Sequence, residues 1–393
     1  LRRLVDAARS LKTGSAWRFD NKIGPLIRPP AGDLQRALTS LDPDETWALK
    51  PEMRDNNPHL WTPGIKYGVK PGGITHMTEL FGPLLGVMRA DDLNHAIDLV
   101  HQTGYGLTSG LESLDEREQR QWKNTVKAGN LYINRGTTGA VTLRQPFGGM
   151  GQSALGPGIK TGGPNYVTQF MDFAETATPR VQAIGKEDAL LRMALAWRRK
   201  LLWGWLPSCA EDLGKTIRAI KSYRYHWEHE FSAEKDYFHL RGQDNIHRYL
   251  PLGAVGIRLH PDDNLFEALS RIAAARIAGN TAVISIPVHL DNAVTRFLDR
   301  HEARPLLEAT PIRRQSDEEL TASFEVLQRI RYAAPDRVPD AVLEAAAGKG
   351  YYIARAPVLM EGRLELIHYV QNQSVCDNYH RYGNLGNRTE LTV

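Results

Sequence analysis

Cysteine is scarce in this chain: two in 393 residues, Cys209 and Cys376. Two isolated thiols make neither a metal-ligand spacing nor a disulfide framework, so a reducing, cytoplasmic setting is expected. Long apolar runs are missing too; none approaches the ~18–20 residues a membrane-crossing helix needs. The opening residues do not read as a secretory leader. Leu1 stands first instead of Met and the segment after it reads as the middle of a helix, so an internal cut is expected. There is no excess of one charge: 49 basic residues face 45 acidic ones, a net +4. Apart from Arg198-Arg199-Lys200 the basic residues do not run together, which argues against a nucleic-acid partner. Low-complexity tracts and short repeats are absent. What remains is an ordinary globular composition, 42% apolar and 24% charged, long enough for two or more domains with separate cores.

Residues 1–175 alternate helical and strand patterns. Asp91–Gln102 carries Leu93, Ala96, Ile97 and Val100 at helical spacing behind acidic cap candidates. Ser113–Lys127 opens on Ser113 with Glu116, a capping-box pattern, and stops at Gly129. Asn130–Asn134 reads as a strand. Helix, glycine, strand is the grammar of an α/β domain with a mostly parallel sheet. Residues 176–241 read as a helical connector, with candidate helices over Asp188–Leu202 and about Ala210–Phe231. Trp197, Trp203 and Trp205 beside basic residues would suit a membrane surface. Docking on the protein's own core is the reading preferred, and membrane association is not indicated. From Gly242 the α/β grammar returns. Tyr249–Leu259 and Thr281–Ile286 read as strands. Asp262–Ala278 and Ser316–Arg329 (with a Ser316/Glu319 capping box) read as helices, and Val338–Ala347, Tyr351–Ala356 and Leu364–Val370 continue the alternation.

Three motifs carry chemistry in this order: Thr78-Glu79-Leu80-Phe81-Gly82-Pro83, then Gly129-Asn130-Leu131-Tyr132-Ile133-Asn134, then Gln145-Pro146-Phe147-Gly148-Gly149. Together they resemble the end of an aldehyde dehydrogenase catalytic domain of the L-glutamate γ-semialdehyde (1-pyrroline-5-carboxylate) dehydrogenase kind. The resemblance covers nearly all of residues 1–175. It implies that Glu79 accepts from the ribose hydroxyls of NAD, a task suited to a carboxylate with two acceptor oxygens. It implies that Phe81 packs beside the nicotinamide. It also implies that Gly139 and Ala140 offer backbone amides to the α-carboxylate of the substrate, with Phe147 against the aliphatic chain. Small residues suit such a loop, because a larger side chain would hold the carboxylate away. Gly148, Gly149 and Gly151 are read as close-packing positions and not as a phosphate cradle. The family's cysteine nucleophile and general-base glutamate would lie upstream of Leu1. The buried-hydrophobe reading is favoured for Cys209 and Cys376.

Gly242–Pro287 resembles a worn copy of the same family's cofactor domain. Ser285 and Ile286 stand where the family keeps a ribose-binding lysine. Arg331-Tyr332-Ala333-Ala334-Pro335 replaces the glycine turn that receives pyrophosphate, so the fold is expected without NAD binding. A semialdehyde dehydrogenase followed by such a domain resembles the C-terminal part of bifunctional proline-utilisation flavoenzymes. FAD would belong only to a proline dehydrogenase half fused upstream. The expected fold class is therefore α/β, with the C-terminal part of an aldehyde dehydrogenase catalytic domain over 1–175. A helical connector follows over 176–241. A degenerate Rossmann-like domain with a C-terminal tail occupies 242–393. The tail Tyr379–Gly386 would pack against the catalytic domain or a neighbouring subunit. The resemblance implies an enzyme of proline catabolism, acting on the small molecule L-glutamate γ-semialdehyde with NAD, as a homo-oligomer. The alternative is a non-catalytic assembly or tunnel-covering module of the same family.

Overall fold

The computed structural model describes residues 1–179, 189–201, 207–307 and 310–379. Trp203, Trp205, and His380 onward in the tail, lie outside the described residues. The chain divides into two compact units, one made of Leu1–Tyr105 with Asp115–Val126, the other of Gly106–Leu114 with the described residues from Lys127 on.

In the first unit, strand Gly64–Tyr67 runs antiparallel to Thr46–Leu49 and parallel to Leu84–Val87. The helix expected from Asp91 begins at Leu93 and ends at Gln102, because the Asp92 side chain accepts from the His95 amide and caps it. The capping box expected at Ser113 does not form. Asp115 caps instead, accepting from the Arg117 amide, and the helix is Glu116–Thr125. Both backbone groups of Ser113 are already committed to the Asn134 side chain, at 3.0 and 2.9 Å.

The second unit holds two five-stranded sheets. One is wholly parallel, in the order Ile312–Arg314, Thr281–Ile286, Ala254–Arg258, Arg329–Arg331, Ile353–Ala354. Taken in chain order, this is a Rossmann-like 3-2-1-4-5 sheet with its switch point between the first and fourth strands. Helix Leu265–Ile277 packs on it, opened by a capping box between Asn264 and Glu267. Nearly every residue of that helix is buried, as a helix in the middle layer of an α/β domain requires. Asn280 then locks the turn, its Oδ1 accepting from the Gly253 amide and its Nδ2 donating to the Tyr369 carbonyl at 2.8 Å.

The other sheet is mixed, in the order Thr108–Leu111, Asn130–Ile133, Val370–Asn378, Gln243–Pro251, Lys235–Asp236. Val370–Asn378 runs parallel to Asn130–Ile133 and antiparallel to Gln243–Pro251 over its whole length. Distant stretches of chain thus share one sheet. Leu364–Val370 holds the end of a helical turn, Gly362–Glu365, a 3-10 turn, Leu366–Tyr369, and the start of the strand Val370–Asn378. Two expectations change. Tyr249–Leu259 is two strands in different sheets, parted at Leu252 and Gly253. The helix after Ser316 has its capping box but spans only Asp317–Ala322, since Arg329 is needed in the parallel sheet. Helices Ala189–Leu201 and Pro207–His226 belong to the same apolar core as the parallel sheet, through Leu190, Leu191, Ala194, Trp197, Leu213, Ile217 and Tyr223. Trp197 is buried and its indole donates to the Glu302 carbonyl at 2.9 Å. No described helix is long and apolar enough to cross a membrane.

Candidate active site

Glu79 and Phe81 lie in the first unit, on the link between the short helix Ile74–Met77 and strand Leu84–Val87. The Glu79 carboxylate is exposed and meets no partner among the described residues. Phe81 is 83% exposed, at a backbone φ of 49°. A bulky residue in the left-handed region is strained, and such strain persists where the surroundings fix it. Here the chain is fixed on its C-terminal side, where Pro83 accepts from the Gly64 amide at 2.8 Å. The result is an uncommitted carboxylate and a presented aromatic face two residues apart. Such a pair can accept from a diol and cover a flat ring, so the residues present fit the ribose and nicotinamide of NAD.

The second unit brings Gly139, Ala140 and Phe147 together on the segment that follows strand Asn130–Ile133. All residues of that strand are buried. Beyond it, Arg135 gathers the loop. Its guanidinium donates to the Gly136 carbonyl at 3.3 Å and to the Thr138 carbonyl at 3.1 Å. The same group donates to Cys376 Sγ at 3.0 Å and lies over the Tyr132 ring. The Tyr132 hydroxyl donates to the Gly139 carbonyl at 2.8 Å. Three carbonyls of the loop are therefore turned inward. The amides of Thr137, Thr138, Gly139 and Ala140 donate to nothing among the described residues. Both Gly139 and Ala140 are exposed, and Gly139 has φ +115°. A run of unpaired amides beside a guanidinium can attract an anion. The loop is closed by a bridge between Val141 and Gln145, and the buried Gln145 amide donates to Asn245 Oδ1 at 3.0 Å and Cys376 Sγ at 3.1 Å.

Phe147 is half-buried on the return segment. Its backbone exchanges both hydrogen bonds with Thr161, at 3.0 and 2.9 Å. The Pro146 carbonyl accepts from Asn130 Nδ2 at 3.0 Å and from Ser374 Oγ at 2.7 Å. The Gly148 amide donates to Asn130 Oδ1 at 3.2 Å. Close packing of the glycines is direct: a Cβ on Gly129 would fall on the Gly148 carbonyl.

Arg135, Tyr132, Gln145 and Cys376 were not singled out by the motifs as parts of this loop. Arg135 is adjacent to the motif residues and could have been noticed. Cys376 and Asn245 could not, because only the sheet pairing brings them here. Cys376 is buried, and burial raises its thiol above the ordinary range despite Arg135 beside it. Cys209 is buried as well. Neither thiol is exposed, as a reactive one would be. Among the described residues no group of His, Cys, Asp and Glu could hold a metal ion.

The switch point of the parallel sheet is filled by side chains. Arg271, fully buried, donates to the carbonyls of Arg258 and Arg331 at 2.8 and 3.0 Å and pairs with the buried Asp263. Arg331 pairs with the buried Glu365 at 3.0 Å. Ser285 accepts from Arg258 at 2.9 Å and from Gln315 at 3.0 Å, while Arg258 also meets Asp317 at 2.7 Å.

Residues 1–175 match the aldehyde dehydrogenase family. Over 172 residues the chain is 30% identical to 1-pyrroline-5-carboxylate dehydrogenase 1 of Halalkalibacterium halodurans, covering 44% of this chain and 33% of that protein. It is 43% identical over 118 residues to bifunctional protein PutA of Rhizobium meliloti, covering 30% of this chain and 9% of that one. The solved structure of proline utilization A (PutA) from Corynebacterium freiburgense superposes on 97% of this chain and 34% of its own, at 34% identity and a TM-score of 0.75. The match to the aldehyde dehydrogenase family is thus that of residues 1–175, while the α/β fold is similar to that of PutA along nearly the whole chain. It spans about a third of the length of the 1-pyrroline-5-carboxylate dehydrogenases it matches.

Proposed function

We propose that the chain is part of an NAD-dependent L-glutamate γ-semialdehyde dehydrogenase of proline catabolism, a protein that oxidises the semialdehyde to glutamate. The observation that supports this most is the Gly136–Ala140 loop, whose carbonyls are tied inward while its amides stay open. An α-carboxylate is the group such a surface binds. Phe147 would lie against the aliphatic chain of the same substrate. Glu79 and Phe81 would hold the nicotinamide end of NAD, which supplies the hydride acceptor when bound. The thiol nucleophile and the general base would lie elsewhere in the protein; the burial of Cys209 and Cys376 supports this for the thiol. On this reading residues 1–175 supply the C-terminal part of the catalytic domain, 176–241 a connector and 242–393 a degenerate Rossmann-like domain with a tail. That domain would bind no NAD, because buried arginine–carboxylate pairs occupy its switch point. We place the protein in the cytoplasm as a homo-oligomer acting on a small-molecule aldehyde. FAD would serve only a fused proline dehydrogenase half.

The test is NAD-coupled oxidation of glutamate semialdehyde by the purified 393-residue chain and by a longer protein that carries it. Turnover is expected from the longer protein alone. Turnover by the 393-residue chain, lost on mutating Cys209 or Cys376, would overturn the assignment of the nucleophile. A longer protein that leaves the semialdehyde untouched would overturn the proposed function itself.

A further inference from the structure

Lys160 is the feature that the proposed chemistry leaves unused. Its side chain is 1% exposed. Buried charges are ordinarily paired with an opposite charge. The ammonium of Lys160 instead donates to two neutral acceptors, the Gly148 carbonyl at 2.6 Å and Asn130 Oδ1 at 2.9 Å. Burial lowers its pKa to about 7. His247 is itself held neutral by burial, its pKa down to about 4, and supplies no opposite charge. A lysine kept in so unfavourable a place needs a reason in what it holds.

What it holds is the backbone on either side of Phe147. Asn130 is a clamp that takes the Pro146 carbonyl with its Nδ2 and the Gly148 amide with its Oδ1. Lys160 completes it twice over: it orients the Asn130 oxygen and takes the Gly148 carbonyl. Thr161, the next residue, exchanges both backbone bonds with Phe147. Polar groups from the Pro146 carbonyl to the Gly148 carbonyl are thereby all satisfied, and the ring between them has its direction fixed. Close approach is possible because Gly148 has no side chain; a Cβ there would already touch Lys160 Cα and Cγ at 3.4 Å.

We propose that Lys160 is a positioning residue, which fixes the Phe147 wall of the aldehyde site through the Gly148 carbonyl and Asn130. The proposal rests on the dehydrogenase reading for what Phe147 touches. It rests on geometry alone for what Lys160 does.

The experiment has two arms. In the longer protein, Lys160→Met should raise KM about tenfold for glutamate semialdehyde and equally for an unsubstituted aliphatic aldehyde, with kcat within about twofold, since a loosened wall weakens binding of the chain common to both. Lys160→Gln, which keeps one donor on a shorter arm, should fall between wild type and Lys160→Met. In the 393-residue chain, hydrogen exchange of the Phe147 and Thr161 amides should quicken at least about tenfold in Lys160→Met, while strand Thr281–Ile286 stays protected. Exchange unchanged at Phe147, or quickened equally in every strand, would overturn the proposal. So would a loss confined to the carboxylate-bearing substrate. Should the longer protein oxidise no aldehyde at all, the dehydrogenase reading falls and the exchange arm alone decides the role of Lys160.

Discussion

Replacing Gly139 by valine tests the open-amide loop directly. Gly139 sits at φ +115°, a conformation that side-chain-bearing residues rarely adopt. An added Cβ would stand 3.3 Å from Arg135 Nη2, and a branched side chain would add bulk there. The loop must shift, and the guanidinium that turns the Thr138 carbonyl inward must shift with it. On the proposed role, one or two hydrogen bonds from the loop amides to the carboxylate would be lost. Each hydrogen bond to a charged group is worth about 1.5–3 kcal/mol, so kcat/KM for glutamate semialdehyde should fall at least about tenfold. An aliphatic aldehyde of similar length never used that anchor and should suffer much less. The assay is kcat/KM for both substrates in the longer protein, with wild type and variant side by side. An equal fall for both would mean that Gly139 serves the fold and not recognition.

Glu79→Gln should weaken a charge-assisted bond to the cofactor by about 1–2 kcal/mol, seen in saturation curves in NAD and aldehyde; NAD affinity and turnover both unchanged would refute the role of Glu79. Arg271→Ala should destabilise the 393-residue chain by about 3 kcal/mol in denaturant unfolding, the low end for a broken buried pair, because Arg337 still reaches Asp263 at 2.7 Å. A loss below about 1 kcal/mol would show that the pair contributes little. Lys160 should leave a signature in the pH dependence of stability. Its pKa is about 7 folded against 10.5 unfolded, so between those values the unfolded chain binds the extra proton. The contribution of Lys160 to stability should therefore rise with pH across that window, by up to about 1.4 kcal/mol per unit, and this part of the slope, read as the difference between wild type and Lys160→Met, should be lost in the variant.

Glu79, Phe81, Gly139, Ala140 and Phe147 were singled out by the resemblance of their motifs; the structure adds that Glu79 and Phe81 are exposed and that Gly139 takes a positive φ. The capping box at Ser316 and the strand Thr281–Ile286 were legible in the sequence, since cap chemistry and β-branched residues act over a few positions. Ser113 misled, since a cap pattern cannot show that the backbone of that residue is already bonded to Asn134. Tertiary structure alone decided what lies beneath the candidate loop. Cys376 and Asn245 are far from Gln145 in the chain, and Lys160 is far from Asn130. Sheet pairing brings the first group together and burial the second. Pairing register is a property of two strands at once, and the desolvation of a lysine depends on everything packed around it.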